Sequence, residues 1–350
     1  MTRTRPRTNR VHGPWAVACL APALAAFVPG HAQAFDAGRE DIAAFVDDMA
    51  SRHGFDAVAL RDLLAKAESR KSVLDAMTRP AEKTLSWQEY RERFITERRI
   101  DRGVETYRDN EAALAKATAS GVPAEYILGI VGVETFYGEV TGRNRVLDAL
   151  ATLAFDYAPR APFFRGELEQ FLLMTREEAL DPLAPQGSYA GAMGIPQFMP
   201  SSFRSYAVDG DGDGHRDLWN DWSDVLSSVG NYLKEHGWKP GEPVMAAADV
   251  SGADLAGLDT SKPTLTETVG SLRRRGVRFE ADLPSDSPAM LIALSRPFGS
   301  EYRVGFANFY AITRYNRSVL YASVVNDLAE SIELARARSL PPDEGTSFAD

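Results

Sequence analysis

Apolar residues recur at helical spacing through the first third of the chain, which predicts a domain of α-helices between residues 35 and 120. One helix face consists of Ile42, Phe45, Val46 and Met49. A second helix contains Leu60, Leu63 and Leu64 and ends before Pro80. Ser86 and Glu89 have the spacing of a capping box and predict the start of another helix. We expect the charged side chains between Arg91 and Arg99 to cover the solvent side of this helix.

Helical patterns continue after this domain, and a stretch with strand-like apolar runs interrupts them. They recur at residues 123–137, 146–156, 163–180, 223–236 and 305–335. Short apolar runs near residues 243 and 290 are typical of strands, and a helix-like stretch at residues 273–275 lies between them. We therefore expect a mainly α fold with five parts after the leader. They are an N-terminal helical domain (35–120), a catalytic core (121–239), a small mixed α/β insertion (240–304), C-terminal helices that complete the core (305–338) and a flexible tail (339–350).

The first 34 residues have the pattern of an export signal. A basic segment with four arginines precedes an apolar run from Trp15 to Val28, and an Ala-x-Ala site ends at Ala34. The run is too short for a comfortable transmembrane helix. We expect cleavage after Ala34 and a periplasmic location. The alternative is a lipoprotein acylated at Cys19, which lies too early in the apolar run to be favoured.

The net charge bears on the kind of binding partner, and the cysteine content bears on disulfide bonds. The formal net charge is −10, and removal of the four leader arginines makes it more negative. An acidic chain without a basic block argues against nucleic acid as a partner. Cys19 is the only cysteine, so the exported chain needs no disulfide bond.

Glu134 is the first candidate for catalysis, because it occupies an apolar helix face. Ile127, Ile130 and Val131 follow the i, i+3, i+4 spacing, and Glu134 takes the i+7 position. A carboxyl group in an apolar cleft holds its proton to higher pH, and a general acid that cleaves a glycosidic bond needs this property. The alternative is a glutamate at the helix rim that extends into water.

The segment 186–202 is a candidate cleft wall. Three glycines within eight residues allow close approach of the backbone, and Pro196 and Pro200 bracket Gln197 and Phe198. Backbone groups, an amide and an aromatic face suit a sugar-binding cleft. The alternative is an ordinary tight connection between helices.

The segment from Asp209 to His215 fits the first half of a D-x-D-x-D-G calcium loop. Carboxylates at Asp209, Asp211 and Asp213 take positions 1, 3 and 5, and the carbonyl of His215 takes position 7. Position 12 is Asn220 where a bidentate glutamate is usual, which indicates modest affinity. The alternative is an acidic surface turn without a cation.

Six segments in order between residues 85 and 325 resemble the lytic murein transglycosylase B family. They are GVETFYG, LDALATLAFDY, FFRGELEQFLLM, AGAMGIPQFMPSS, VDGDGDGHRDLW and ITRYN. The resemblance implies a lysozyme-like helical core that cleaves the β-1,4 bond between N-acetylmuramic acid and N-acetylglucosamine in peptidoglycan. It also implies that the muramoyl 6-hydroxyl attacks its own anomeric carbon and leaves a 1,6-anhydro ring. Glu134 would be the only general acid and base, without a catalytic cofactor.

The resemblance also implies the residues that bind substrate and metal. The substrate-binding set is Ser188, Gln197, Phe198, Tyr232, Tyr315 and Asn316. Arg160 matches a family arginine that meets a peptide stem or a lactyl carboxylate, although Pro159 departs from the local pattern. The last calcium ligand is Asp224 or, with a one-residue shift, Asp221. The ion would have a structural role.

Two other functions stay open at this point. A hydrolytic muramidase needs a second carboxylate across the bond. Glu139 lies beyond the helix face, and we expect Asp156 and Glu169 to be surface or capping residues. A catalytically weak peptidoglycan-binding protein is the other possibility, and an acid on an apolar face argues against it.

Overall fold

The computed structural model describes residues 33–36, 38–78 and 85–339, and their secondary structure confirms the mainly α class. Most of the expected signal segment, including Cys19, lies outside the described residues, as do Pro80 and residues 340–350. Among the described helices, none has the length and apolar composition needed to cross a bilayer.

In the described residues of the N-terminal part there are six α-helices and one small sheet. The helices are α1 (Glu40–His53), α2 (Ala57–Ala65), α3 (Lys71–Thr78), α4 (Trp87–Phe94), α5 (Glu97–Asp109) and α6 (Glu111–Ala117). The predicted capping box is present at the start of α4, where Ser86 and Glu89 exchange hydrogen bonds. The second helix predicted from the sequence is divided into α2 and α3 by strand β2 (Glu68–Ser69). Asp148, which is fully buried, accepts from Glu68 N at 3.0 Å and holds the chain in this extended turn.

Strand β1 (Gln33–Ala34) pairs antiparallel with β2. It consists of the last two residues of the expected signal segment. Phe35, the residue after it, is 6% exposed and packs edge-on against Phe155 at 5.9 Å. Cleavage after Ala34 would therefore remove β1 and leave a buried side chain at the new N-terminus.

The charged stretch after Ser86 corrects one expectation from the sequence. Arg99 is only 8% exposed, and its guanidinium lies between the rings of Phe94 and Phe136, at 5.0 and 4.7 Å. Arg91 Nε donates to Asp327 Oδ2 at 2.6 Å. The prediction that these two arginines only cover the solvent face was wrong, because each one meets an aromatic or acidic group from a distant part of the chain.

The core helices follow in chain order. They are α7 (Ala124–Thr135), α8 (Val146–Phe155), α9 (Ala161–Glu177), α10 (Pro200–Tyr206) and α11 (Trp222–Glu235). Strand β3 (Asn144–Arg145) pairs antiparallel with β4 (Gln186–Gly187), which ties the end of the α7 turn to the glycine-rich segment. Helix α7 is buried on nearly every side, because glycines let its neighbours approach. A Cβ on Gly129 would lie 3.0 Å from the Val325 carbonyl oxygen.

The insertion is a four-stranded antiparallel sheet with one short helix. Its elements are β5 (Met245–Ala248), β6 (Glu267–Thr268), α12 (Val269–Arg274), β7 (Pro288–Ser295) and β8 (Ser300–Gly305), with strand order β5-β8-β7-β6. It has its own apolar cluster, which includes Leu272, Leu291 and Phe306. The two strands predicted near residues 243 and 290 are present.

Helices α13 (Ala307–Tyr315) and α14 (Val319–Ser339) complete the fold. Helix α14 packs against α7, α5, α4 and α13. It thus runs along the helix that carries Glu134.

Candidate active site

Glu134 is the second-to-last residue of α7, and its carboxyl group lies at the edge of the core. The side chain is half-buried, and Oε1 accepts a hydrogen bond from the Tyr321 hydroxyl at 2.6 Å. Tyr321 comes from the first turn of α14 and is 2% exposed. One side of the carboxyl group is therefore oriented by a buried donor that cannot move far.

The chain reverses immediately after Glu134, in a turn with two strained residues. Phe136 and Tyr137 have φ values of 52° and 56°, which residues other than glycine rarely adopt. The Thr135 hydroxyl donates to the Ile195 carbonyl oxygen at 2.8 Å and accepts from Gly138 N at 3.0 Å. This hydroxyl joins the end of α7 to the glycine-rich segment, so the two walls of the cleft are held together. The strained backbone at Phe136 and Tyr137 persists because these surrounding contacts enforce it.

Gln197 lies on the opposite wall, in a left-handed conformation with φ of 53°. Its amide nitrogen donates to the carbonyl oxygens of Thr141 and Gly194, at 3.0 and 2.8 Å. Gly194 also has a positive φ, and a Cβ there would lie 2.3 Å from the Leu218 carbonyl oxygen. The segment can therefore fold against the core only with glycine at this position.

Three aromatic rings form the floor beside these groups. The ring of Phe198 lies 5.5 Å from that of Tyr232 and 5.8 Å from that of Tyr315. The Tyr232 hydroxyl donates to Arg314 O and the Tyr315 hydroxyl donates to Pro196 O, both at 2.7 Å. Burial raises the pKa of Tyr232 well above its ordinary value, so this hydroxyl stays protonated. Each of the two tyrosine rings is thus fixed by a hydrogen bond at its hydroxyl end.

These side chains enclose a small cavity of about 50 Å³. Its lining residues are Glu134, Gln197, Phe198, Met199, Ser202, Tyr232 and Tyr315. Five residues predicted from the sequence therefore meet in one place. Met199 and Ser202 complete the lining and were not identified from the sequence.

Ser188, Asn316 and Arg160 are not among the residues that line this cavity. The Ser188 hydroxyl accepts from the backbone of Ala190 and Ala192, at 3.2 and 3.0 Å, and so shapes the glycine-rich segment. Asn316 follows the last residue of α13 and is buried. Arg160 lies 4.5 Å above the Phe163 ring, and burial lowers the pKa of its guanidinium.

Tyr321 and Thr135 were also not identified from the sequence. Thr135 is adjacent to the candidate acid. The only indication for Tyr321 is that a buried tyrosine in an apolar helix needs a hydrogen-bond partner. The sequence does not show that this partner is Glu134, or that the Thr135 hydroxyl binds the Ile195 carbonyl oxygen.

Glu134 is the only carboxylate among the lining residues. The three other acidic residues considered from the sequence form ion pairs elsewhere. Glu139 binds Arg98 at 2.7 Å, Asp156 binds Arg39 at 2.7 Å, and Glu169 binds Arg52 at 2.7 Å. Their carboxyl groups are therefore occupied by arginines outside the cavity.

The predicted metal loop lies between α10 and α11. Carboxylate oxygens of Asp209, Asp211 and Asp213 lie within 4.8 Å of one another. Gly214, at position 6, has the positive φ of 95° that the sharp turn requires. These features fit a cation bound by oxygen ligands.

Asp224 and Asp221, the two candidates for the last ligand, use their carboxylates on the backbone. Asp224 accepts from Gly210 N at 2.7 Å and from Asp217 N at 2.6 Å. Asp221 caps α11 by accepting from Ser223 N at 2.7 Å. Of the two, only Asp224 contacts the backbone of the loop itself.

The geometry agrees with two comparisons of sequence. The sequence model of a family described as "Transglycosylase SLT domain" matches residues 37–330. Over 304 residues, the chain is 43% identical to the membrane-bound lytic murein transglycosylase B of Escherichia coli strain K12, covering 84% of this chain and 83% of that protein. The chain belongs to this transglycosylase family. It is a lytic murein transglycosylase, an enzyme that cleaves peptidoglycan.

Solved structures of other members are similar over nearly the same length. The soluble lytic transglycosylase SltB1 from Pseudomonas aeruginosa is 48% identical, with a TM-score of 0.80, over 84% of this chain and 99% of that one. The Escherichia coli lytic transglycosylase Slt35 in complex with calcium is 42% identical, with a TM-score of 0.79, over 87% and 97%. SltB3 from Pseudomonas aeruginosa, in complex with NAG-NAM-pentapeptide, is 30% identical, with a TM-score of 0.72, over 84% and 79%. The lysozyme-like transglycosylase fold expected from the sequence is therefore confirmed.

Proposed function

We propose that Glu134 is the only general acid and base of this transglycosylase and that the products carry 1,6-anhydromuramoyl ends. The substrate is the β-1,4 bond between N-acetylmuramic acid and N-acetylglucosamine. The observation that carries this proposal is the cavity lining, which contains one carboxyl group and three aromatic rings.

The reaction has two proton transfers. The protonated Glu134 donates to the departing glycosidic oxygen as the bond from the anomeric carbon breaks. The resulting carboxylate then accepts the proton of the muramoyl 6-hydroxyl as its oxygen bonds to the same carbon. No water is consumed, and the carboxyl group ends in its starting state. Tyr321 supports both proton transfers because its hydroxyl donates to Oε1 at 2.6 Å and orients the carboxyl group.

The remaining predicted residues take binding roles in this proposal. Gln197 presents its amide group to acetamido or hydroxyl groups, and Phe198, Tyr232 and Tyr315 support sugar rings. Ser188 and Asn316 bind indirectly or further along the strand, since they lie outside the cavity. Arg160 meets a lactyl or stem carboxylate.

Calcium is the metal that the acidic loop would hold. Asp209, Asp211, Asp213 and the carbonyl of His215 would be ligands, with Asp224 as the last one in preference to Asp221. The ion would neutralise three converging carboxylates and brace the connection between α10 and α11. The relative Slt35 was solved in complex with calcium, which supports this choice.

The site of action is the cell wall, reached by export. We infer removal of a signal peptide at Ala34 and a periplasmic location, with glycan strands of peptidoglycan as the binding partner and no role for nucleic acid. Lipid attachment at Cys19 is the less favoured route.

Digestion of purified sacculi by the wild-type enzyme and by Glu134→Gln tests the mechanism. Mass spectrometry of the products separates anhydro ends from reducing ends, which are one water heavier. Wild type should give almost entirely anhydro ends. Glu134→Gln should lose about 10⁴-fold in rate because acid–base catalysis is removed from both steps, while it still binds sacculi. Mainly reducing ends from wild type would instead indicate a hydrolytic muramidase.

A further inference from the structure

A second cleft lies on the insertion, far larger than the catalytic cavity. Its volume is about 920 Å³. Strand β5 and Asp249 form one wall, residues 277–280 form the other, and Arg273 reaches in from α12. Clefts of a few hundred to about 1,000 Å³ are the size that binds small ligands and peptides.

One wall of this cleft is an unpaired sheet edge. Strand β5 is the outermost strand, paired only with β8 in the four-stranded sheet. Phe306 N donates to Val244 O at 3.0 Å, so Val244 faces β8 with its backbone. Because such bonds alternate along an antiparallel pair, Ala246 and Ala248 also face β8, and Ala247 faces the cleft.

Asp249, whose backbone also faces away from β8, shows how this edge can bind a peptide group. Asp249 exchanges two backbone hydrogen bonds with Arg278, at 2.8 and 2.9 Å. This pair is an isolated bridge, so the pairing does not continue along the two walls. Within the described ranges, no residue hydrogen-bonds to the backbone N–H and C=O of Ala247 on the cleft side. One donor and one acceptor at strand spacing are thus presented to the cleft.

The cleft also presents separate charges of opposite sign. The Arg273 guanidinium lies 5.1 Å over the Phe279 ring, and its Nη2 donates to Ala281 O at 3.0 Å, which fixes its direction. Glu280 supplies a carboxylate on the same wall. Arg278 and Asp249 neutralise each other at 2.5 Å. A ligand that fits this lining carries a peptide amide, an anionic group and a cationic group.

We propose that this cleft binds a peptide stem of peptidoglycan, separately from the catalytic cavity. The proposal rests on the proposed function, which makes peptidoglycan the substrate. An uncrosslinked stem is a short extended peptide with free carboxylates and a free amine. One of its amide groups pairs with Ala247, a carboxylate binds Arg273, and the amine binds Glu280. The methyl side chains of β5 leave room for a backbone to lie against the strand edge.

The cleft is connected to the catalytic cavity by rigid elements. Strand β8, which pairs with β5, leads through Phe306 into α13, and α13 ends at Tyr315 in the cavity lining. Helix α13 has nine residues and spans about 14 Å. A stem held on β5 would tether its glycan to the same rigid unit as Glu134, which lowers KM for stem-bearing substrate without entering the chemical step.

Calorimetric titration with a free stem pentapeptide tests the proposal. Wild type should bind saturably. Arg273→Ala and Ala247→Pro should each weaken binding about tenfold, because one loses a charge-assisted hydrogen bond and the other loses the edge N–H. The matched control is Arg274→Ala, a neighbouring exposed arginine of α12 that lies outside the cleft lining. Melting temperatures check that each variant is folded.

Kinetics distinguishes failure of this proposal from failure of the proposed function. The two cleft variants should raise KM for sacculi and leave the cleavage of stem-free glycan strands unchanged. If Arg160→Ala and not Arg273→Ala weakens pentapeptide binding, the stem binds at the catalytic cleft and the proposal is wrong. It is equally wrong if wild type cleaves sacculi but shows no pentapeptide binding, or if self-association covers the β5 edge. In each of these cases the assignment of Glu134 stands.

Discussion

The carboxyl group of Glu134 is oriented by a hydroxyl group that lies 187 residues away in the sequence. Tyr321 is buried in the first turn of α14, and this helix packs along α7. A fixed donor at 2.6 Å limits the directions in which the carboxyl group can point. In the proposed mechanism Glu134 exchanges protons with two different oxygens, and this restraint would keep its carboxyl group directed at both.

Tyr321→Phe should therefore reduce kcat more than it reduces substrate binding. Removing a hydrogen bond to a charged group costs about 1.5–3 kcal/mol, which corresponds to a loss of about 10–100-fold if it is expressed in the transition state. Steady-state kinetics on stem-free glycan strands measures kcat and KM separately. The matched control is Tyr126→Phe, because the Tyr126 hydroxyl also contacts α14, at Asn326, but lies outside the cavity lining. An unchanged kcat for Tyr321→Phe would exclude this positioning role.

At the scale of elements, the acidic loop between α10 and α11 connects two parts of the cavity. Helix α10 begins at Pro200, next to the segment with Gln197 and Phe198, and α11 carries Tyr232. Three carboxylates converge in the loop, and their mutual repulsion opposes this conformation unless a cation is bound. We therefore expect metal binding to raise the stability of the native state. Any effect on catalysis would be indirect, through the positions of the aromatic rings that the two helices hold.

Calcium should stabilise the wild-type enzyme against heat. Binding to the native state contributes RT ln(1 + [L]/Kd), or about 2.7 kcal/mol when calcium is at 100 times Kd. Differential scanning calorimetry should show a higher melting temperature in millimolar calcium than in EDTA. The double variant Asp209→Asn, Asp213→Asn keeps the side-chain shapes and should lose the difference. Identical melting curves of wild type in calcium and EDTA would show that the loop is only an acidic turn.

At the scale of the whole molecule, a site residue could be predicted from the sequence only where a pattern of neighbouring residues marked it. Glu134 stood out because the helical period was clear over the eight residues from Ile127 to Glu134, and Gln197 and Phe198 stood out because prolines bracket them. Tyr321 did not, because α14 is buried on every side from Tyr321 to Ala329 and shows no simple apolar stripe there. Ser188, Asn316 and Arg160 were expected only through family resemblance, and they are not among the residues that line the cavity.

The contacts that join the three parts of the fold were also beyond sequence reasoning. Asp327 of α14 is 5% exposed and accepts from Arg91 of α4 at 2.6 Å and from Arg303 of β8 at 2.5 Å. These partners are 236 and 24 residues away. No local pattern distinguishes such arginines from those that cover a solvent face, which explains the wrong expectation for Arg91. One carboxylate thus links the N-terminal helices, the insertion and the helix that carries Tyr321.

Asp327→Asn should consequently destabilise the whole enzyme and not one part of it. It removes the carboxylate charge that Arg91 and Arg303 share and leaves Arg303 only its pair with Glu301. Breaking a buried ion pair in this way costs about 3 kcal/mol. The free energy of unfolding from urea titration, followed by tryptophan fluorescence and circular dichroism, measures the loss. The control is Asp75→Asn, which removes an exposed pair with Lys71 and should cost less than about 1 kcal/mol. If the two variants lose the same stability, Asp327 does not hold the parts together, and the insertion and the helical core are joined mainly by the packing of β8 against α13.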